Sequence, residues 1–498
     1  MQLAISNIDV AIIAAYLLAV VLFGAWVGRR QRGVNDYLLG DRQLPWWLLL
    51  ISIVATETSS VTFLSVPGTA YRGDLTFLQL AIGFVVGRYA VVALLLPQYF
   101  EGRLLTAYQA LDRRFGVATK RLASLLFLVT RSLADGLRLY LTAIVLRLVL
   151  FGSDPESPPS AELAFDQELA WAVVFTGTAT ILYTSLGGIK AVVWTDFIQF
   201  FIYLAGATAS GIVIAVSIGL GAPGSDWSDV AVDPAKLRVF DLSLSVTQPY
   251  TLWAGILGGA FIALASHGAD QLMVQRYLSA RSLPEAARAL KWSGWVVLAQ
   301  FSGFLLLGLG LAVFYQGREF ARADEVFATF IVEELPIGVV GLTLAAVLAA
   351  AMSTLSGSLN SLAGAAMNDF YVPLVAPNAS PQHQLRVTRS LTVVFGVIQI
   401  AVAIAGQYLQ STVVEAVLSI AALTTGTVLG IFLLGALTRR VGQRAALVGM
   451  AVGLAGMLYL RFATPIAWTW YSFVGAVVTW IAAWVAQALL PRNSKEHR

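Results

Sequence analysis

The sequence contains no cysteine. That excludes a disulfide framework, a thiolate metal site and thiol redox chemistry. Charge is scarce as well. Asp, Glu, Lys and Arg make up 12% of the 498 residues, against roughly a quarter in an ordinary soluble domain. Histidine occurs three times, and none stands in a metal-ligand cluster or a nucleophile–base arrangement, so enzymatic chemistry is not expected. Long alternating apolar–polar runs are missing too, which argues against a β-barrel. The formal net charge of +4 does not point to nucleic acid, because the basic residues sit in short loops.

Apolar residues are abundant, at 58%. They recur in runs of about 20 residues, each long enough to span a bilayer as a helix. The reading is an all-α polytopic membrane protein with about 13 transmembrane helices. The segments are 8–28, 45–71, 77–99, 121–150, 168–187, 190–219, 250–277, 293–315, 337–370, 389–408, 413–437, 444–462 and 466–490. The first run is too long for a signal peptide and lacks a basic leading region, so it reads as a retained helix.

Charge distribution gives an orientation. With the N-terminus outside, the inner loops receive most of the Lys and Arg, and the outer loops receive acidic stretches at 154–168 and 226–241. The positive-inside rule is satisfied in nearly every loop. The expected location is the plasma or inner membrane, multi-pass, with a cytoplasmic C-terminus.

The most informative stretch is 46–73. Its middle reads Ala55, Thr56, Glu57, Thr58, Ser59, Ser60, with Thr62 and Ser65 after it. An acid among hydroxyls at membrane depth needs a partner. Irregular backbone at that depth is tolerated where it is buried in protein or lines a cavity. The segment therefore reads as a broken helix whose break is a binding site. Four spans follow it. The next span, 250–277, carries Gly255 and Gly258-Gly259, which mark either a second break or a close packing seam. Four more spans follow that one. Two units of five spans have opposite orientations, as in transporters built from inverted repeats. The expected organisation is an N-terminal helix and loop (1–44), a first repeat (45–219), an outer loop (220–249), a second repeat (250–437) and two C-terminal helices with a short tail (438–498). Both repeats are expected to begin with a broken helix.

Within 337–370, Ala350, Ser353, Thr354, Gly357, Ser358 and Ser361 share one helical face. By itself a small hydroxylated face is more often a helix-packing seam than a ligand site. Arg131, Asp135 and Arg138 are spaced to pair along one helix. They leave one positive charge over, which belongs either to a structural network or to a solute carboxylate held bidentately. His267 and Asp270 are expected near the inner interface.

Five stretches in order resemble the sodium/solute symporter family. They are 35–47 (NDYLLGDRQLPWW), 111–116 (LDRRFG), 187–199 (GGIKAVVWTDFIQ), 270–280 (DQLMVQRYLSA) and 349–360 (AAAMSTLSGSLN) with 368–371 (NDFY). The resemblance implies the inverted five-helix fold of the leucine transporter. It also implies a sodium ion between the broken helix and the eighth core helix. Carried over, the ligands are the carbonyls of Ala55, Thr58 and Ala350 and the hydroxyls of Ser353 and Thr354. A possible second cation falls on Asp196 with Ser353 and Ser356, but Gly357 stands where a serine is expected. Asp196 could equally lie on the inward exit path or pair with Lys190. Solute-cavity candidates are Glu57, Ser59, Thr62, Arg131, Arg138, Gly255 and Gly258.

Sugar-transporting members carry an acid followed by Gln or His where Val61 and Thr62 stand here. The segment at Glu57 is closest to the proline-transporting branch. The implied function is sodium-coupled import of a small organic solute by alternating access, an amino acid or monocarboxylate rather than a sugar. Alternatives of the same fold are proton coupling through Glu57, or an inositol or inorganic-anion substrate. A membrane-embedded sensor is a further alternative, although the tail after Leu490 leaves little room for a signalling domain. Expected partners are the solute, sodium and the lipid bilayer. No obligate protein partner is implied.

Overall fold

The computed structural model describes residues 5–490 apart from 30, 32, 103, 152–164, 221–231, 321 and 409–412. Parts of the two expected acidic loops (154–164 and 226–231) and the basic tail 491–498 lie outside these residues. Among the described residues the chain forms helices and no strand; Leu44 and Ala280 share one isolated bridge.

In chain order the main helices are α1 (Asn7–Gly28), α2 (Trp46–Glu57), α3 (Ser60–Arg72), α4 (Phe77–Leu94), α5 (Val117–Phe151), α6 (Gln167–Ser217) and α7 (Gly259–Gly268). They continue as α8 (Gln271–Leu278), α9 (Leu283–Tyr315), α10 (Val339–Ala365), α11 (Pro381–Ala405), α12 (Val413–Leu437), α13 (Gln443–Ala463) and α14 (Tyr471–Leu489). Every expected span falls on helix. Among the described residues, 8 helices are long and apolar enough to cross a membrane, or 9 when the bent pair α2–α3 counts as one span. Helix α5 is long enough, but it carries Lys120, Arg121, Arg131, Asp135, Arg138 and Arg147.

Helix starts differ from the apolar boundaries where a cap sets them. Helix α9 begins at Leu283, ten residues before the expected 293, because the Ser282 side chain accepts from Glu285 N and Pro284 occupies the first turn. Ser380 caps α11 in the same way through His383 N. Two expected spans lie within α6, separated at Gly188, whose φ of 55° and ψ of −162° suit glycine alone.

The second expected break is corrected by the structure. At Ala254–Gly258 the helix widens into a π turn without unwinding, and it runs on into α7. The chain leaves helical geometry later, at Ala269 and Asp270, before α8.

Among the candidate membrane spans, the one that α10 begins is the most buried. Its small side chains allow that depth. Its N-terminus is capped from α1: Asp9 Oδ1 accepts from Gly338 N at 2.8 Å and Gly341 N at 2.7 Å. A carboxylate there satisfies free N–H groups and faces the positive end of the helix dipole.

Two large hydrophobic clusters make up most of the interior. One contains Leu48, Leu49 and Ile53 of α2, with Tyr99, Tyr277 and Phe432. The other contains Val54, Ala55 and Phe63, with Phe304, Phe327 and Met352. A polar layer surrounds the break: Thr56, Glu57 and Thr58 at the break, Arg88 on α4, Asp196 and Gln199 on α6, and Ser353 and Thr354 on α10. Burying so many polar groups requires that they satisfy one another.

Candidate functional site

The break follows from residues that compete with helix. Helix α2 ends at Glu57, and Thr58 (φ −80°, ψ 86°) and Ser59 (φ −84°, ψ 170°) leave the helical region. Ser59 Oγ caps α3 by accepting from Thr62 N, a local bond that a Ser offers in place of the helical one. The two halves bend by 64°. Thr58 N still donates to Val54 O, but Ser59 N turns back to Glu57 O. Among the described residues no backbone N–H donates to the carbonyls of Ala55 or Thr58. Two oxygens are thus freed at the centre of the polar layer.

Each residue around the break is tied to a different helix. Thr354 Oγ1 on α10 donates to Thr56 O at 2.9 Å and lies 3.3 Å from Ala350 O. Gln300 on α9 donates to Thr58 Oγ1 at 2.6 Å, and Tyr203 on α6 donates to Gln300 Oε1 at 3.2 Å. Ser60 Oγ and Thr142 Oγ1 of α5 are 2.9 Å apart. The break and α10, about 300 residues apart in sequence, therefore meet where Thr354 reaches Thr56 O. Ser353 and Thr354 are buried, at 0% and 2% exposure.

Asp196 sits against this face. Ser353 Oγ donates to its Oδ1 at 2.6 Å, and Ser52 Oγ to its Oδ2 at 2.5 Å. Its ionic partner is Arg276 of α8, with Nη2 at 3.1 Å, and both side chains are essentially inaccessible. Arg276 also donates to Ser52 Oγ, Thr56 Oγ1 and Leu272 O. Lys190 is engaged elsewhere, with Asp36 at 2.5 Å and Asp41 at 3.7 Å. Gly357 leaves the space that Arg276 needs: a Cβ there would lie 2.7 Å from Nη2. Ser356 Oγ donates to Ser353 O of its own helix, not to Asp196.

Glu57 has partners that the sequence reading missed. Its Oε2 binds Nη2 of Arg88, a guanidinium with no exposure, and lies 3.6 Å from His267 Nε2. Arg88 is the one charge in the apolar segment Phe77–Leu94; such a residue at membrane depth demands an acid, and that was the available signal. Its Nε and Nη1 are buried without a hydrogen-bond partner. His267 Nε2 faces Arg88 Nη2 at 3.3 Å, and a guanidinium only donates. Ser266 Oγ donates to Ile262 O and lies 2.9 Å from His267 Nδ1. Those partners assign a neutral imidazole protonated on Nδ1. His267 is thus buried inside the polar layer rather than interfacial.

The α5 cluster is balanced as well. Asp135 pairs with Arg131 at 2.7 Å and with Arg138, while Arg131 reaches Asp270 at 3.5 Å. Asp270 removes the excess positive charge expected from α5 alone. Val61 packs on Ala134, Leu137 and Leu141, which places Ser59–Thr62 beside the Arg138 turn. Gly255 and Gly258 are contact points between helices. A Cβ on Gly255 would lie 2.6 Å from the Gln79 side chain, and one on Gly258 would lie 2.5 Å from the Thr469 carbonyl.

Known proteins with the same organisation are transporters. The sequence profile of the sodium:solute symporter family matches residues 37–453. The sodium/sialic acid symporter SiaT of Proteus mirabilis is 29% identical, over 97% of this chain and 95% of its own length. The human sodium/iodide cotransporter is 28% identical, over 91% of this chain and 69% of its own. Human sodium-coupled monocarboxylate transporter 1 is 27% identical, over 90% and 72%. A solved structure of a Na+-coupled sialic acid symporter, substrate-bound and outward-open, superposes with a TM-score of 0.84 at 28% identity, covering 98% of both chains. A nucleobase-cation-symport transporter at 15% identity and a TM-score of 0.57 shares the fold. The profile spans most of the chain. This membrane protein is therefore a transporter rather than an enzyme, and it belongs to the sodium:solute symporter family, with sodium as its coupling ion.

Proposed function

We propose that the chain imports a small carboxylate-bearing solute, a monocarboxylate or amino acid, together with sodium by alternating access. The observation that carries this reading is the broken helix itself: the carbonyls of Ala55 and Thr58 lose their helical donors, and Thr354 of α10 reaches the break at Thr56 O. Sodium is a hard cation, and unwound carbonyls at a broken helix supply the oxygens it prefers. The ligand set is the carbonyls of Ala55, Thr58 and Ala350 and the hydroxyls of Ser353 and Thr354. Asp196 and Ser356 stay outside this set, since Arg276 holds the carboxylate and Ser356 bonds to its own helix.

The solute binds beside the ion, against Ser59, Thr62 and Arg138, where the break meets α5. Val61 and Thr62 replace the pair expected of sugar-transporting members. Two relatives are named for solutes that carry a carboxylate, sialic acid and monocarboxylates. Glu57 is not a free carboxyl awaiting a proton, because Arg88 holds it; this favours sodium over proton coupling.

Alternating access opens the site first to one side and then to the other of a bilayer with the N-terminus outside. Coupling requires sodium to bind one arrangement better than the other; a difference of about 1.4 kcal/mol shifts the ratio about tenfold. The test is uptake into proteoliposomes. An inward sodium gradient is expected to drive accumulation of at least one radiolabelled acid from a panel of sialic acid, lactate, pyruvate and proline. Equal uptake of every one with choline in place of sodium would overturn the proposal.

A further inference from the structure

The fixed charges around the break cancel. Glu57 is neutralised by Arg88, and Asp196 by Arg276. Asp135 and Asp270 match Arg131 and Arg138, and His267 is neutral by its hydrogen-bond partners. A sodium ion at the freed carbonyls would therefore meet oxygen dipoles but no unmatched carboxylate. An ion that is moved from water into a buried site without a counter-charge is costly.

We propose that Arg88 cancels Glu57 so that the counter-charge of the bound sodium is supplied by the solute itself. The solute is then a net anion, and ion and anion enter as a mutually neutralising pair. The inference rests on the sodium site proposed above and narrows its substrate class: a monoanion fits, whereas a neutral sugar or a zwitterion does not. It also gives Glu57 a specific role. The acid is not a sodium ligand; it satisfies a guanidinium that is wholly buried and cannot lose its proton.

The arrangement makes the two ligands depend on each other. Sodium held without the anion leaves one positive charge in the polar layer, and anion without sodium leaves one negative charge. Each therefore raises the affinity for the other by the same factor, as linkage demands.

Sodium half-saturation of the purified protein, read by thermal shift against choline at constant ionic strength, tests this in two arms. In the first, Glu57→Gln strands the Arg88 charge and is expected to raise the half-saturating sodium concentration about tenfold, roughly 1.4 kcal/mol. Glu57→Gln with Arg88→Met removes both charges and is expected to return it to within about threefold of wild type. A double variant as weak as the single one would show that the carboxylate serves the ion directly, and would overturn the inference. So would an unchanged single variant.

The second arm needs no variant. A solute accepted in the uptake assay lowers the sodium half-saturation as its anion, and its neutral methyl ester does not. An equal effect of the ester would overturn the inference. Failure of the sodium site itself is read separately, as unchanged sodium dependence in Thr354→Ala.

Discussion

Arg276 and Asp196 are both buried to within about 1% of full enclosure, and each is the other's reason for being there. The guanidinium lies against Gly357, where a Cβ would sit 2.7 Å from Nη2, and it also ties together Ser52 and Thr56 of the broken helix. Removing one partner of such a pair leaves an uncompensated charge, which costs about 3–5 kcal/mol. Arg276→Met is expected to lower the thermal unfolding temperature in detergent by several degrees, and Arg276→Met with Asp196→Asn is expected to recover much of the loss. An unchanged Tm in Arg276→Met would contradict this role. At this scale the sequence was legible only in part. It marked Glu57, Asp196, Ser353 and Thr354 as unusual, because polar groups in apolar segments stand out. It did not say which cation answers which acid. Arg88 and Glu57 are on different helices, as are Arg276 and Asp196, and such pairing is a property of packing rather than of spacing.

At the scale of elements, apolar length located the long helices but not shorter ones such as Ala323–Glu333, and the caps corrected where several of them begin. The broken helix α2–α3 was readable because a cluster of small hydroxylated residues offers the backbone alternatives to helical bonding, and Ser59 takes one of them. The second interruption was misplaced for a physical reason. Glycines signal either unwinding or close approach, and Gly255 and Gly258 serve close approach to Gln79 and Thr469. The break at Ala269–Asp270 carries no comparable marker; Asp270 is instead a cap, accepting from Leu272 N at 2.8 Å to start α8. Helix α10 shows the opposite ambiguity. Its small face is both a packing seam and the donor of hydroxyls to the break, so neither reading excludes the other.

The whole molecule combines two large hydrophobic clusters with a buried polar set in which Glu57 pairs with Arg88 and Asp196 with Arg276. Its orientation was read from loop charge alone, and the absence of native cysteine makes that reading testable. Ser243 and Asn378 are both exposed, the first in the loop before α7 and the second in the loop before α11. Ser243→Cys is expected to react with a membrane-impermeant maleimide on intact cells, and Asn378→Cys only after permeabilisation. The reverse pattern would invert the topology.

The central claim is that sodium is held between the broken helix and α10. Binding of radioactive sodium to the purified protein tests it most directly. Wild-type protein is expected to bind sodium saturably. Ser353→Ala and Thr354→Ala are each expected to weaken that binding about tenfold or more, as loss of a ligand oxygen worth roughly 1.4 kcal/mol requires. Wild-type affinity in both variants would contradict the account.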